Sequence, residues 1–345
     1  MTMKKALIAS TALVLTAGVA AADVTISGYG RTGVIYYEDA AGRGLGGEGS
    51  NETQVISRLR MNIDASTSSD QGVDFGARFR LQWDQNAENE GQLNAGKLWV
   101  TSNGFTVEVG NIDTAFDSAG LMYASELGSY DFSAGGNPLG DFFAYESNSL
   151  ADPEYNGVRV VYSVGDLTVQ ASYVDPDQSG VDYFDIDGDG IIDAVSTEGR
   201  DGKEEIGFAV DYVWNERLEL SAAAVLNGNG FDDNDQYFVG ARYAVMDNAR
   251  IGLNYYDNGD VYWINHEDND LGKTITLYGD YTLADGLTNI EAYIANNSGD
   301  WDAKETDNSF GIGVNYDLGG ARLGASLQRD YNERVTADMG VRFDF

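Results

Sequence analysis

The 345-residue chain has no cysteine, which excludes a disulfide scaffold, a thiolate zinc site, an iron–sulfur centre and a cysteine nucleophile. Its one histidine, His266, excludes His-rich metal catalysis, although a hydrolase triad needs only a single imidazole. Positive charge is scarce: 21 Lys and Arg stand against 56 Asp and Glu, for a net charge of −35. Nucleic-acid binding requires a basic surface to neutralise phosphate, so that class is excluded too. Beyond residue 22 no stretch approaches a spanning helix, which needs about 20 apolar residues. Any element that crosses a membrane must be a strand.

What is present begins with a leader. Residues 1–22 carry a basic start at Lys4 and Lys5, an apolar core from Ala6 to Val19 and the small-residue site Ala20-Ala21-Ala22, the make-up of a secretory signal peptide. The mature chain is expected from Asp23, with a net charge of −37 once Lys4 and Lys5 are gone. Residues 23–345 form one domain in which period-two alternation dominates. Over 73–84, Val, Phe, Ala, Phe, Leu and Trp fall on one face, and Asp, Gly, Arg, Arg, Gln and Asp on the other.

The pattern predicts sixteen strands: 24–37, 54–65, 72–84, 94–102, 104–110, 155–163, 167–174, 204–213, 217–227, 236–245, 249–257, 272–283, 287–296, 308–317, 320–330 and 334–345. Links after even-numbered strands are short and most after odd-numbered ones are longer, as in an up-and-down outer-membrane barrel. An even count also lets the first and last strands meet, leaving no edge. The expected fold is all-β, a 16-stranded antiparallel transmembrane β-barrel. A soluble sandwich or β-helix would alternate as well. Two features favour the barrel. Full charges recur on the polar face (Arg58, Arg60, Arg78, Arg80, Asp84), and aromatic residues close the apolar face near strand ends (Tyr36, Trp83, Tyr162, Tyr173, Tyr212, Tyr255, Phe345).

At this point the chain resembles a known family. From Val24-Thr25-Ile26-Ser27-Gly28-Tyr29-Gly30-Arg31 to Gly340-Val341-Arg342-Phe343-Asp344-Phe345 it is similar to the trimeric general porins of alphaproteobacteria. The resemblance covers the whole mature chain and includes the terminal Phe on an amphipathic last strand. It implies a homotrimer in outer-membrane lipid and lipopolysaccharide that passes small hydrophilic solutes and ions passively, with no catalysis and no cofactor for transport. It also implies that the long connection at about 111–154 folds inward as a constriction loop. That segment carries Asp113, Asp117, Glu126, Asp131, Asp141 and Glu146 without one Lys or Arg. Lumen-facing positions of the first four strands supply Arg31, Arg58, Arg60, Arg78, Arg80 and Lys97. By resemblance the two groups face each other across the pore, and their transverse field favours polar over apolar solutes. The alternative is a set of structural arginine stacks beside a solvated acidic loop.

A second candidate site is the run Asp185, Asp187, Asp189, Ile191 and Asp193, which matches the first half of an EF-hand-like loop and predicts bound Ca2+ in a structural role. Ser196 stands where the bidentate Glu belongs, and a Gly/Asp turn cluster is the competing reading. Gly28-Tyr29-Gly30-Arg31-Thr32-Gly33 fits a dinucleotide fingerprint in letters only, because the chain continues as strand where a helix must begin. The function expected is a general diffusion pore, with a mild cation preference tempered by the arginines. A solute-selective outer-membrane porin and a secreted calcium-binding β protein are the alternatives, and no credible nucleophile–base pair supports an enzyme.

Overall fold

The computed structural model describes residues 23–39, 51–85, 91–94, 96–123, 144–146, 156–176, 182–184, 194–196, 202–259, 271–301 and 304–345. The leader, most of the acidic connection, the aspartate run 185–193 and His266 lie outside them.

Sixteen strands make the wall. The first eight are β1 (Asp23–Tyr37), β2 (Thr53–Ser68), β3 (Asp74–Asp84), β4 (Lys97–Ser102), β5 (Phe105–Gly110), β6 (Asn156–Val164), β7 (Leu167–Asp175) and β8 (Glu205–Trp214). The second eight are β9 (Leu218–Leu226), β10 (Gln236–Met246), β11 (Ala249–Asp257), β12 (Lys273–Thr282), β13 (Thr288–Asn297), β14 (Asn308–Asp317), β15 (Arg322–Arg329) and β16 (Val335–Asp344). Each predicted block corresponds to one of these. Two short pieces were not foreseen. Gln92–Leu93 pairs with β3 just ahead of β4, and a separate hairpin joins Asp182–Phe184 to Ala194–Ser196. Between Leu93 and Lys97 the pairing to β3 slips by one residue, which is why β4 proper starts later than the expected 94.

Every strand is antiparallel to its neighbours, and β16 pairs back onto β1 from Tyr29↔Asp344 to Tyr37↔Thr336. The seam runs to the last residue: the Gly28 amide donates to the Phe345 carbonyl at 2.7 Å, and the Phe345 amide returns the bond at 2.9 Å. Closure satisfies the backbone polar groups that a lipid interior cannot. Gly30 makes room for this junction, since a Cβ there would sit 2.5 Å from the Phe343 ring. Residues 28–33 are strand, where a dinucleotide fingerprint would need a helix to begin.

Alternation assigns the two faces. Phe79, Phe208, Leu253, Ile312 and Leu327 point outward and are exposed, the arrangement of a lipid-facing belt. Exposed Tyr237 and Phe310 ring one rim, and Tyr212, Trp214, Tyr243 and Tyr281 the other. Gln170, Ser172, Asn254, Thr276 and Gln328 point inward. The rims differ as expected: seven short turns, at 69–73, 103–104, 165–166, 215–217, 247–248, 283–287 and 318–321, all lie at one end. No central apolar core exists among the described residues. The largest buried apolar cluster lies instead where a piece of the long connection meets the inner wall.

Candidate functional site

Register places an unbroken line of charge across the closure seam. Asp317 of β14 pairs with Arg322 of β15, Arg322 with Arg342 of β16, Arg342 with Arg31 of β1, Arg31 with Arg58 of β2, and Arg58 with Asp84 of β3. Neighbouring strands stand about 4.8 Å apart and tilt by about 40°, so each step climbs about 3 Å and the line rises about 15 Å along the pore. Like charges on adjacent strands repel, so four arginines in sequence need compensation. Part of it is visible. Asp84 takes the Arg58 Nε, Asp344 lies 3.2 Å from Arg342, and the Tyr29 ring centre sits 5.8, 5.4 and 4.3 Å from Arg31, Arg60 and Arg342.

The other predicted basic residues continue this wall. Arg60 donates to Gln82 at 2.6 Å and Arg80 to Asn62 at 2.9 Å, whereas Arg78 grips both oxygens of Asp64 at 2.7 and 3.1 Å. Arg80 therefore holds a neutral amide and has no carboxylate within ion-pair distance among the described residues. Lys97 differs in role. It joins Asp113 at 2.5 Å and Glu108 at 3.3 Å, and Arg159 closes the group at 2.8 Å from Glu108 and 3.9 Å from Asp113. Burial works against the Asp113 charge, but Lys97, through its charge and hydrogen bond, and Arg159 hold that carboxyl below the usual carboxylate range.

Residues 111–123 turn into the barrel from this ionic foot. Ala115, Phe116, Ala119, Leu121 and Met122 bury against inward-facing Ala209, Ala223, Val225, Phe238 and Tyr256. Polar anchors fix the register of the contact. The Ala115 amide donates to Ser172 at 2.9 Å and the Gly120 amide to Asp211 at 2.8 Å; Asn254 and Tyr256 donate to the carbonyls of Leu121 and Met122 at 2.8 and 3.0 Å. The docked segment thus covers β8–β11, which stand eight places round the ring from β16–β3. It faces the arginine wall across the lumen.

Arg31, Arg58, Arg60, Arg78, Arg80 and Lys97 accordingly share one wall, with Asp113 tied to its edge and Asp117 on the far side. Asp117 is buried and accepts from the Tyr123 hydroxyl at 2.8 Å. Glu126, Asp131 and Asp141 lie outside the described residues, as do Asp185, Asp187, Asp189, Ile191 and Asp193. Sequence reasoning missed Arg322 as a wall member, Arg159 as the second cation of the foot, and the apolar face of the docked segment. Only Arg342 carried a signal, its place on the polar face of the last strand.

Comparison with known proteins gives the lineage of this arrangement. A family model described as Gram-negative porin matches residues 9–337. The chain is 40% identical over 328 residues to the porin of Fuscovulum blasticum, covering 94% of this chain and all of that one. Solved structures of substituted Rh. blastica porin are also similar. One with a lysine and an arginine changed to alanine shares 36% identity, and one with an aspartate and a glutamate changed to alanine shares 37%. Each has a TM-score of 0.77, covers 94% of this chain and is itself covered completely. A closed wall, a hollow polar interior and this kinship agree: the chain belongs to the Gram-negative porin family and is a multi-pass outer-membrane general diffusion porin.

Proposed function

We propose that solutes diffusing through this barrel pass a transverse field between the arginine wall and the docked segment of the long connection, which acts as the constriction loop. The observation that carries the reading is the placement of Arg322, Arg342, Arg31 and Arg58 in register opposite the segment held on β8–β11. Water between the two sides is oriented, so a small polar solute crosses more readily than an apolar one of equal size. The acidic chain as a whole attracts cations, and the arginine wall moderates that preference. Replacing Arg80 with Gln removes a charge that no described carboxylate meets at ion-pair distance. It should raise the cation-to-anion permeability ratio about threefold, the scale of one charge acting over several ångströms of screened water. An unchanged reversal potential would place Arg80 away from the ion path.

The leader 1–22, assembly of three copies, and contact with lipopolysaccharide belong to the same proposal. So does structural calcium at Asp185, Asp187, Asp189, Ile191 and Asp193. Its support is the antiparallel pairing of Asp182–Phe184 with Ala194–Ser196, the two segments that flank the aspartate run.

A further inference from the structure

We infer that the short-turn mouth of the pore holds a low-affinity retention site for uncharged pyranose sugars, with Trp99 as its floor. The inference rests on the lumen being the solute path. Among the described residues Trp99 is the one tryptophan at an inward strand position. Its neighbours Leu98 and Val100 on β4 are exposed on the outer face, and its register partners Gly76 and Glu108 face the lumen. It lies two residues from Lys97 toward the short turns, clear of the ionic foot. A Cβ built on Gly76 would fall 2.0, 2.1 and 2.7 Å from the indole Cζ2, Cε2 and Nε1. Near-equal approach to two bonded carbons, with the nitrogen farther off, puts the glycine under the ring's face rather than at its edge. One face of the indole is therefore spent on the wall. The other is turned to the lumen, and Trp99 is only partly buried.

Polar groups surround this floor within the span of one sugar ring. Along β3, Arg78 and Asp74 flank Gly76 at about 7 Å on either side, and Ser66 of β2 stands opposite it at about 5 Å. Each has bonding capacity to spare. Arg78 commits Nε and Nη2 to Asp64 at 2.7 and 3.1 Å; its Nη1 meets no acceptor among the described residues, and the side chain is 33% exposed. Exposed Asp74 takes the Ser68 hydroxyl on one oxygen at 2.5 Å and keeps the other open. Ser66 is exposed, and its hydroxyl bonds to no described residue. A donor, an acceptor and a hydroxyl thus border an apolar face. A pyranose is the complement: C–H bonds cover the face of its ring, and the hydroxyls on its rim both donate and accept. An anion at Arg78 would meet Asp64 and Asp74, and a cation at Asp74 would meet Arg78. An acyclic polyol has the hydroxyls without the flat face, and a planar aromatic has the face without the rim.

The test titrates methyl β-D-glucopyranoside, sorbitol and nicotinamide into a planar bilayer carrying the full protein and reads the ion current. Sorbitol reports the loss that any polyol of this size causes by viscosity and crowding. In the wild type the glucoside should lower the current saturably and beyond sorbitol. Trp99→Leu should raise the half-blocking concentration about fivefold, the scale of one lost aromatic contact, and Trp99→Phe should recover part of the loss. Ser66→Ala, at an exposed hydroxyl, should raise it about threefold and decides the matter if Trp99→Leu fails to assemble. Equal effects of glucoside and sorbitol, or stronger saturable block by nicotinamide than by the glucoside, would overturn the site while leaving the pore intact. So would wild-type glucoside block in a conducting Trp99→Leu or Ser66→Ala protein. A wild type that carries no current would overturn the pore itself, and the site with it.

Discussion

Replacing Phe116 with Ala should release the docked segment from the wall. Ordering the 12 residues 112–123 costs about 12 kcal/mol at roughly 1 kcal/mol of backbone entropy each. Against this, burial of Phe116, Leu121 and Met122 returns about 6 kcal/mol. The four bonds to Ser172, Asp211, Asn254 and Tyr256 add about 4 kcal/mol, and the Lys97–Asp113 foot about 2. The two sides balance within a few kcal/mol, so no single anchor is dispensable. Truncating a buried Phe to Ala removes about 3 kcal/mol, enough to exceed the margin. Hydrogen exchange followed by mass spectrometry reads this directly, because the Ala115 and Gly120 amides are bonded to the wall. Their exchange should quicken on the order of 100-fold, at 1.4 kcal/mol per factor of ten. The barrel strands provide the internal control. Wild-type protection at Gly120 in an otherwise intact Phe116→Ala barrel would refute apolar docking as the anchor.

Acid acts on the same foot through Asp113. Because its folded pKa lies below the unfolded value, its contribution is present above about pH 4 and is lost as pH falls through the folded pKa. Amide protection at 115–120 should therefore hold from neutral pH to about pH 5 and collapse only in stronger acid; collapse near pH 6 would contradict the assignment. If the aspartate run 185–193 binds calcium, chelation should lower the melting temperature of the assembled protein and added calcium should restore it. An unmoved transition would favour the turn-cluster reading.

Most of the wall was legible in the sequence because a two-residue period with a lipid-facing side leaves little freedom. One slip of register would turn Phe79 inward and Arg80 toward lipid. The breaks came where the ladder itself breaks, as between Leu93 and Lys97. The arginine line was not legible as a line. Arg31 and Arg342 lie more than three hundred positions apart, and only the seam register sets them side by side. The resemblance implied that the long connection folds inward, but its apolar docking face carried no periodic signal. Phe116, Leu121 and Met122 follow no regular period, since they complement a wall assembled from four separate strands. Acidity made the segment look like a charged edge, yet Asp113 serves an ionic foot and Asp117 a tyrosine bond.

Transport through this protein requires a hollow, water-filled lumen bounded by one closed sheet. Single-channel recording of the purified protein in a planar bilayer tests it most directly. Large, ohmic current steps arriving in groups of three are the predicted result. A folded, membrane-inserted protein that carries no current would contradict the account.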